Sequence, residues 1–373
     1  FDVGRRAVQP LIAKAPQGLA SMYLPDRQAF VQTARRAATG VAPEGVSLRY
    51  SAIALLGLAA ADEQTQWSVL SEHQAGDLVE SVVGAARHSD DPGAVALAAW
   101  TAAELTGNCD TATLQRLGHL LKSGQPLPTV DTAWMLTAAV AAGHEGPAAA
   151  VAELAAARLL GAQGPGGLFP HADPAASLGR VRAHVGCFAD QVYPIQALAR
   201  FAAAVGHPEA LHAANACANR ICALQGADGQ WWWHYDARSD RVVEGYPVYS
   251  VHQHAMAPMA LMDLARSGGE VHADAINAGV RWLTTHPEVS GELIDADRGV
   301  IWRKVGRREP AKAVRKANAA LSAVLASARV PATDRLFPAT EVDRECRPYE
   351  LGWLLYAWNR PVADQPVLTP ELN

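Results

Sequence analysis

Apolar residues recur at helical spacing through almost the whole chain, whereas the strict apolar–polar alternation typical of strands is nearly absent. The amphipathic stretches fall into consecutive pairs, separated by links that carry glycine or proline. The predicted pairs are Arg27–Thr39 with Ser47–Ala61, Ala75–His88 with Pro92–Thr106, Ala112–Lys122 with Val130–Ala142, Pro147–Leu160 with Gly186–Val205, Pro208–Leu224 with Tyr249–Arg266, and Val271–Thr285 with Ala311–Ser327. A closing helix is predicted at Tyr349–Asn359. The pattern therefore predicts an all-α protein built from six helical hairpins.

Two of these hairpins share one internal register. Gly167 lies 24 residues before Gln191, and Gly229 lies 24 residues before Gln253. In both blocks a further glycine follows the glutamine after 15 residues, so the blocks repeat with a period of 62. Such a period is typical of stacked units whose apolar faces are covered only by their neighbours. Six pairs and a closing helix favour a closed ring over an open superhelix or an irregular bundle. We expect a single (α/α)6 toroid domain spanning residues 1–373.

Composition excludes several classes of protein. The 373 residues exceed the usual length of one domain, but repeat architectures are an exception to that rule. The net charge of -5 and the pI near 6.2 provide no basic surface for nucleic acid. No apolar run reaches the roughly 18 residues that a membrane-spanning helix needs. The five cysteines are scattered without a Cys-x-x-Cys pair, which argues against a zinc knuckle. This cysteine usage slightly favours a reducing compartment, the cytoplasm, as the location of the protein.

Both repeat blocks open with the same short motif. It reads Gln-Gly-Pro-Gly-Gly-Leu-Phe at 163–169 and Gln-Gly-Ala-Asp-Gly-Gln-Trp at 225–231. This Gln-x-x-x-Gly-x-aromatic pattern resembles the QW motif of the squalene cyclase and prenyltransferase toroids. Residues 129–133, Thr-Val-Asp-Thr-Ala, resemble the Asp-x-Asp-Asp-Thr-Ala motif of class II terpene cyclases, although Pro128 and Val130 replace its first and its catalytic aspartate. These resemblances imply an α/α toroid and keep a terpenoid cyclase, dehydratase or isomerase open as a function.

The glycine-aromatic turn that precedes a long helix also resembles a second group of toroids. These are the six-hairpin glycosidases and the related lyases and epimerases. The resemblance implies the same fold with a different chemistry, since the toroid carries several functions.

Three connections between helices are long: Gly161–Val185, Gly226–Tyr249 and Ser290–Pro310. Each is predicted to run from an outer helix to an inner one, so all three should meet at the same rim of the ring. Long loops in a compact domain are usually functional or disordered, and their aromatic content argues against disorder. We therefore expect the site at this rim.

The second long connection is the richest in aromatic residues. Three adjacent tryptophans cannot all enter one core, because neighbouring side chains point in different directions. Flat aromatic faces with nearby hydrogen-bonding groups suit sugar rings, while packing at helix ends is the alternative. The predicted substrate-binding residues of this connection are Trp231, Trp232, Trp233, His234, Tyr235 and Tyr246.

Polar residues at the starts of inner helices are the candidates for catalysis. Asp190 and His252 occupy equivalent positions of the two repeat blocks, so we expect them to face one cavity. The alternatives are an N-cap for Asp190 and a hydrogen-bonded core histidine for His252. Tyr249 shares a helical face with His252, and Asp236 is a candidate carboxylate partner of Asp190. Asp131, also at a helix start, is interpreted as a cap.

Further substrate-binding residues are predicted on either side of these positions. Guanidinium groups in a pocket favour ligands with carboxylate, sulfate or phosphate groups. The predicted residues are Gln191, Tyr193, Gln253, Arg182 and Arg303.

The leading hypothesis is an enzyme that acts on a saccharide, possibly an acidic one, at the mouth of the toroid. Hydrolysis would use Asp190 with Asp236 or Glu244. Elimination would use Tyr249 or His252 as the base, with an arginine neutralising a uronate. A terpenoid enzyme and a non-catalytic helical scaffold are the alternatives. We expect a small-molecule or oligosaccharide partner, no nucleic acid, no metal and no cofactor.

Overall fold

The computed structural model describes residues 1–326 and 328–360. Helices account for 58% of the structure, which confirms the predicted all-α class. The helices in these ranges are α1 (Asp2–Ala20), α2 (Leu48–Leu58), α3 (Glu63–Leu70), α4 (Val79–Arg87), α5 (Pro92–Thr106), α6 (Thr111–Lys122), α7 (Thr129–Ala142), α8 (Gly146–Ala162), α9 (Ala189–Val205), α10 (Pro208–Ala223), α11 (Ala257–Arg266), α12 (Ala273–Thr285), α13 (Ala313–Val324), α14 (Thr333–Leu336) and α15 (Pro348–Asn359). A π-helical turn, His252–Met256, precedes α11.

The helices form two concentric rings. In the inner ring α2 packs on α5, α5 on α7, α7 on α9, α9 on α11, and the π-helical turn on α15, which returns to α2. The outer ring consists of α1, α4, α6, α8, α10 and α12. Each outer helix pairs with an inner one, so the predicted (α/α)6 toroid is confirmed. Within the described residues, no helix is both long and apolar enough to cross a membrane.

Inner helices are buried on nearly every side. The residues of α5 from Gly93 to Ala103 are all buried. Each inner helix contacts two inner neighbours and the outer ring. It therefore has little solvent-facing surface and does not need the stripe of polar residues that a surface helix carries. The N-terminus of α5 is capped by Asp91, which accepts hydrogen bonds from the main-chain N–H groups of Gly93 and Ala94.

Short strands link the connections at one end of the ring. The strands are β1 (Tyr23–Leu24), β2 (Ala29–Phe30), β3 (Thr33–Arg36), β4 (Val41–Glu44), β5 (Leu127–Pro128), β6 (Ala172–Asp173), β7 (Val185–Cys187), β8 (His234–Asp236), β9 (Arg241–Glu244), β10 (Val248–Tyr249), β11 (Ile294–Asp295), β12 (Val300–Ile301), β13 (Lys304–Gly306), β14 (Glu341–Asp343) and β15 (Glu345–Cys346). The antiparallel sheet β7–β8–β9 joins the first two long connections, with Val185 opposite Asp236. The sheet β10–β13–β14 joins the second connection to the third, with Val248 opposite Val305. The three long connections therefore meet at one rim, as predicted.

One predicted helix is wrong. Arg27–Thr39 contains β2 and β3 instead of a helix, and the first outer helix is α1. Helix α1 contains Pro10 and Pro16, which local rules treat as breaks, but its packing on α12 and α15 supports a helix there.

The sixth hairpin also differs from the prediction. Ala311–Ser327 is predicted as its inner helix, but α13 packs against β9 within the last connection. Ser327 itself lies outside the described residues. The inner helix of this hairpin is α15, predicted as the closing helix at Tyr349–Asn359. Helical periodicity identifies an apolar face but does not identify the partner that covers it.

The repeated glutamine motif has a structural role. Gln163 Nε2 donates to the carbonyls of Gly167 and Ala213, at 2.8 and 2.9 Å, and thereby ties the turn to α10. Gln225 Nε2 donates in the same way to the turn carbonyl of Gly229 and to Ala275 of α12, both at 2.9 Å. Gly229 has φ +100°, and a Cβ there would lie 2.2 Å from a carbonyl oxygen of α12. The motif therefore fastens each turn to the next outer helix.

The ring is closed by an unusually close contact between α2 and α15. A Cβ added at Gly57 would lie 2.1 Å from the carbonyl oxygen of Gly352. A Cβ added at Gly352 would lie 2.8 Å from the carbonyl oxygen of Ile53. Only glycine at both positions allows the two helices to pack at this distance.

The substitution Gly57→Ala should destabilise the protein by about 3 kcal/mol or more, because the methyl group would force α2 away from α15. Gly84→Ala is the matched control, since a methyl group added at Gly84 of α4 would meet no atom within 4 Å. This control should raise stability by about 0.5–1 kcal/mol through helix propensity. Urea unfolding followed by circular dichroism measures the free energy of unfolding of both variants. Equal changes in the two variants would contradict the conclusion that Gly57 is needed for the contact between α2 and α15.

Candidate functional site

A cavity of about 210 Å³ lies where the connections enter the inner ring. We call it the central cavity. Residues from the first turns of α2, α7, α9 and α15 and from the π-helical turn contribute to its wall. The lining residues are Arg49, Tyr50, Ile53, Val130, Trp134, Ala189, Tyr193, Trp233, Tyr249, His252, Met256, Arg303 and Tyr349.

Aromatic rings form much of the wall of the central cavity. Trp134 meets Tyr193 edge to face, with ring centroids 5.0 Å apart. Across the cavity wall Trp233 stacks on His252 at 5.8 Å with an angle of 10° between the planes. Tyr249 packs on Trp233 at 4.7 Å. Aromatic faces held in this way offer stacking surfaces for a flat or ring-shaped ligand.

Two arginines line the central cavity, and both are paired with carboxylates. Arg49 bonds to Asp91 and, at 2.9 Å, to Asp131, and its guanidinium lies over the Trp134 ring. Arg303 bonds to Glu345 at 2.6 Å and lies 5.2 Å from the centre of the Tyr249 ring. The Nε atom of Arg303 is buried and lies 3.6 Å from Oε1 of Glu350, beyond hydrogen-bond distance. Among the described residues the Arg303 side chain makes one hydrogen bond, whereas that of Arg49 makes four, so Arg303 is the less fully engaged of the two.

Asp131 does not cap α7, so the cap interpretation is wrong. Its carboxylate bonds to the Arg49 guanidinium, and no side chain caps this helix. Only 2% of Asp131 is exposed. Burial raises the pKa of its carboxyl group, and the negative charge of Asp190 on the next inner helix adds to the increase. Arg49 opposes this shift.

Asp190 is fully buried at the start of α9. Its Oδ2 atom lies 2.9 Å from Nδ1 of His171 and accepts the main-chain N–H of Cys187 at 2.7 Å. The Oδ1 atom has no partner among the described residues. The hydrogen bond and the charge of Asp190 raise the pKa of His171. Asp190 itself is not part of the cavity wall, but the flanking residues Ala189 and Tyr193 are.

His171, Cys187 and Asp190 also form the group best placed to hold a metal ion. One ligand atom from each lies within 4.8 Å of the other two. Imidazole, thiolate and carboxylate are ligands that zinc accepts. The direct His171–Asp190 hydrogen bond accounts for the proximity of two of the three without an ion.

His252 lies in the cavity wall, in the repeat position equivalent to Asp190. In the same register Trp233 corresponds to His171, since both pairs are 62 residues apart. The hydrogen-bonded pair of His171 and Asp190 in the first block therefore corresponds to the stacked rings of Trp233 and His252 in the second. Burial lowers the pKa of His252 to about 3, so its imidazole is neutral at physiological pH.

Several predicted site residues lie outside the central cavity. Asp236 accepts hydrogen bonds from the main chain and the guanidinium of Arg238 and stabilises a turn. Trp231 and Tyr235 are fully buried beside Phe188, in the hydrophobic core.

The remaining predicted residues fall into three environments. Gln191 and Gln253 bond the main chain of the repeat turns, at Phe169 and Trp231 respectively. His234 packs on Trp233 at 5.4 Å, and Arg182 is exposed near His171. Trp232 and Tyr246 line a second cavity.

The first half of the chain contributes more to the site than its short connections suggested. Arg49, Tyr50 and Trp134 line the cavity but were not predicted. Arg49 and Tyr50 directly precede an apolar helix, and such polar residues at an inner-helix start are the signal that could have identified them.

Solved structures provide a comparison for this geometry. An unsaturated glucuronyl hydrolase specific for heparin superposes with a TM-score of 0.57 and 11% identity, covering 96% of each chain. Unsaturated glucuronyl hydrolase from Bacillus sp. GL1 gives a TM-score of 0.55 and 12% identity over 96% of each chain. The enzyme of that name from Streptococcus agalactiae gives 0.57 and 11%, covering 95% of this chain and 92% of the other. The fold is that of the six-hairpin glycosidases. No protein-family model and no curated protein matches the sequence.

The pKa of His171 should fall towards its ordinary value in an Asp190→Asn variant, because the imidazolium loses its charged partner. In the native protein the pair stabilises the fold below pH ~6.5, and this contribution is lost as pH rises through the raised pKa of His171. NMR titration of the histidine signals measures the change. Asp236→Asn is the control and should leave His171 unaffected, and an unchanged His171 titration in Asp190→Asn would refute the pairing.

Proposed function

We propose that this protein is a glycoside hydrolase that acts on a saccharide bearing an acidic group. The observation that carries the proposal is the position of Asp131 and Asp190. They are buried carboxyl groups at the starts of adjacent inner helices, beside a cavity lined with aromatic rings and two arginines. Most glycosidases use a pair of carboxyl groups on either side of the bond that they cleave.

The two carboxyl groups differ in their surroundings, which suits different roles. Burial raises the pKa of Asp131 although Arg49 opposes the shift, and a raised pKa suits the role of a general acid towards the leaving oxygen. Asp190 is hydrogen-bonded to His171, and its buried Oδ1 has no partner among the described residues and can accept a further hydrogen bond. Asp131 therefore replaces Asp236 as the proposed partner of Asp190.

An acidic substituent fits the arginine side of the cavity. The guanidinium of Arg303 lies over Tyr249 and makes a single side-chain hydrogen bond, to Glu345. Arg49 is shared between Asp91 and Asp131 and is less able to bind a further anion. The neighbours described above are named as glucuronyl hydrolases, which supports a uronate as the acidic sugar.

The other hypotheses have less support. Elimination with His252 as the base would need a pKa near the working pH, and the pKa of His252 is about 3. A terpenoid enzyme would need a closed apolar cavity with a single acid, whereas this cavity contains Arg49 and Arg303. A purely structural scaffold would account for buried ion pairs through fold specificity, but it leaves the aromatic lining of the cavity without a role.

The test is turnover of saccharides by the purified protein and its variants. The substrates are an unsaturated uronyl disaccharide, an aryl glucuronide and a set of neutral aryl glycosides. Asp131→Asn and Asp190→Asn should each lower kcat by about 10²–10⁴ on an acidic substrate. Arg303→Gln should raise KM for acidic substrates more than for neutral ones.

Asp236→Asn is the matched control, because it also removes a buried carboxylate but one that lies in β8 and not at the start of an inner helix beside the central cavity. Circular dichroism should show that each variant is folded. Full activity in the Asp131→Asn and Asp190→Asn variants, or equal losses in Asp236→Asn, would overturn the proposal.

A further inference from the structure

A second cavity of about 440 Å³ lies at the same rim of the ring. We call it the rim cavity. Trp232 lines it, whereas the next residue, Trp233, lines the central cavity. The two cavities therefore lie on different sides of one short segment. The lining residues are Trp232, Val242, Gly245, Tyr246, Glu288, Arg307, Arg329, Asp334, Pro338, Ala339 and Thr340.

The aromatic surface of the rim cavity is held in place by its neighbours. Trp232 and Tyr246 meet edge to face with ring centroids 5.8 Å apart. A Cβ at Gly245 would lie 2.6 Å from the Trp232 ring, so glycine is needed for the indole to occupy this position. Trp232 is only partly buried. A fixed and partly open indole is a stacking surface that costs little conformational entropy to use.

A carboxylate is fixed beside this aromatic surface. Glu288 accepts hydrogen bonds from the Tyr246 hydroxyl at 2.9 Å, from Gln230 Nε2 at 2.8 Å and from Trp282 Nε1 at 3.1 Å. These three donors determine the orientation of the carboxylate before any ligand binds. Carboxylates held in this way can accept hydrogen bonds from hydroxyl groups.

The charges of the rim cavity are balanced. Arg307 pairs with Glu244 at 3.1 Å and with Asp334 at 2.8 Å, and its guanidinium lies 4.9 Å from the centre of the Tyr246 ring. Arg329 is exposed and donates to the carbonyl of Val242. The lining side chains include two cationic residues, Arg307 and Arg329, and two acidic residues, Glu288 and Asp334, so the cavity has no net attraction for an anion. This distinguishes it from the arginine side of the central cavity.

We propose that the rim cavity is an accessory, non-catalytic binding site for a neutral saccharide unit. The sugar ring stacks on Trp232, and its hydroxyl groups bond to Glu288 and to the polar groups beside Arg307. The choice of a saccharide as the ligand rests on the proposed function. Because both cavities lie where the long connections meet, the site holds a part of the saccharide away from the bond that is cleaved.

The proposal is tested first by measuring the binding of the protein to an array of neutral and acidic oligosaccharides. The neutral hexasaccharide that binds most strongly is then used in isothermal titration calorimetry. Trp232→Ala removes the stacking surface, and Thr340→Trp fills the cavity from an exposed position. Each should lower the affinity for a neutral hexasaccharide about tenfold, equivalent to about 1.4 kcal/mol. The affinity should change little with salt, because no net charge is involved.

Trp67→Ala is the matched control, since Trp67 is 42% exposed on α3 and lines neither cavity. This variant should bind as the native protein does. The proposal is overturned if no oligosaccharide binds, or if Trp232→Ala and Thr340→Trp bind as tightly as Trp67→Ala. Binding is measured without turnover, so a failure of the proposed hydrolase activity would appear separately, as intact binding by an inactive protein.

Discussion

The close packing of α2 against α15 is the constraint on which the rest of this structure depends. These helices come from opposite ends of the described chain, and Gly57 and Gly352 allow their backbones to meet. The same contact completes the central cavity, because Tyr50 packs on Tyr349 with ring centroids 4.7 Å apart. Arg347 reinforces the junction by donating to the Tyr50 hydroxyl at 2.8 Å. The contact that closes the ring also forms part of the wall of the central cavity, so weakening it should reduce both stability and binding.

Ionisable groups gather at the starts of the inner helices, where the ring is open to its connections. A charge buried there costs free energy unless it is paired. Asp131 is paired with Arg49 and Asp190 with His171. Glu350, at the start of α15, is fully enclosed; burial raises its pKa to about 7, and the nearby Arg303 opposes this increase. The ionisable groups around the central cavity are therefore paired with one another.

The two repeat blocks share the backbone geometry of a turn and a helix start, but they carry different side chains there. Equivalent glutamines tie the turns to the next outer helix in both blocks, with nearly identical distances. In the first block this geometry positions a hydrogen-bonded pair, His171 and Asp190. In the second block the same positions hold the stacked rings of Trp233 and His252. The shared geometry belongs to the turn and the helix start, so the side chains between them can differ without altering the ring.

The sequence by itself determined the helical class, the hairpin order over most of the ring, the 62-residue register and the rim at which the long connections meet. These depend on local periodicity and on connectivity, which are properties of neighbouring residues. Only the tertiary structure decided that α1 replaces the helix predicted at Arg27–Thr39 and that α15 is the sixth inner helix. It also decided that Trp231, Trp232 and Trp233 enter the core, the rim cavity and the central cavity respectively. The physical reason is that a residue's radial position depends on which helices close the ring, and that is settled by packing between segments far apart in the chain.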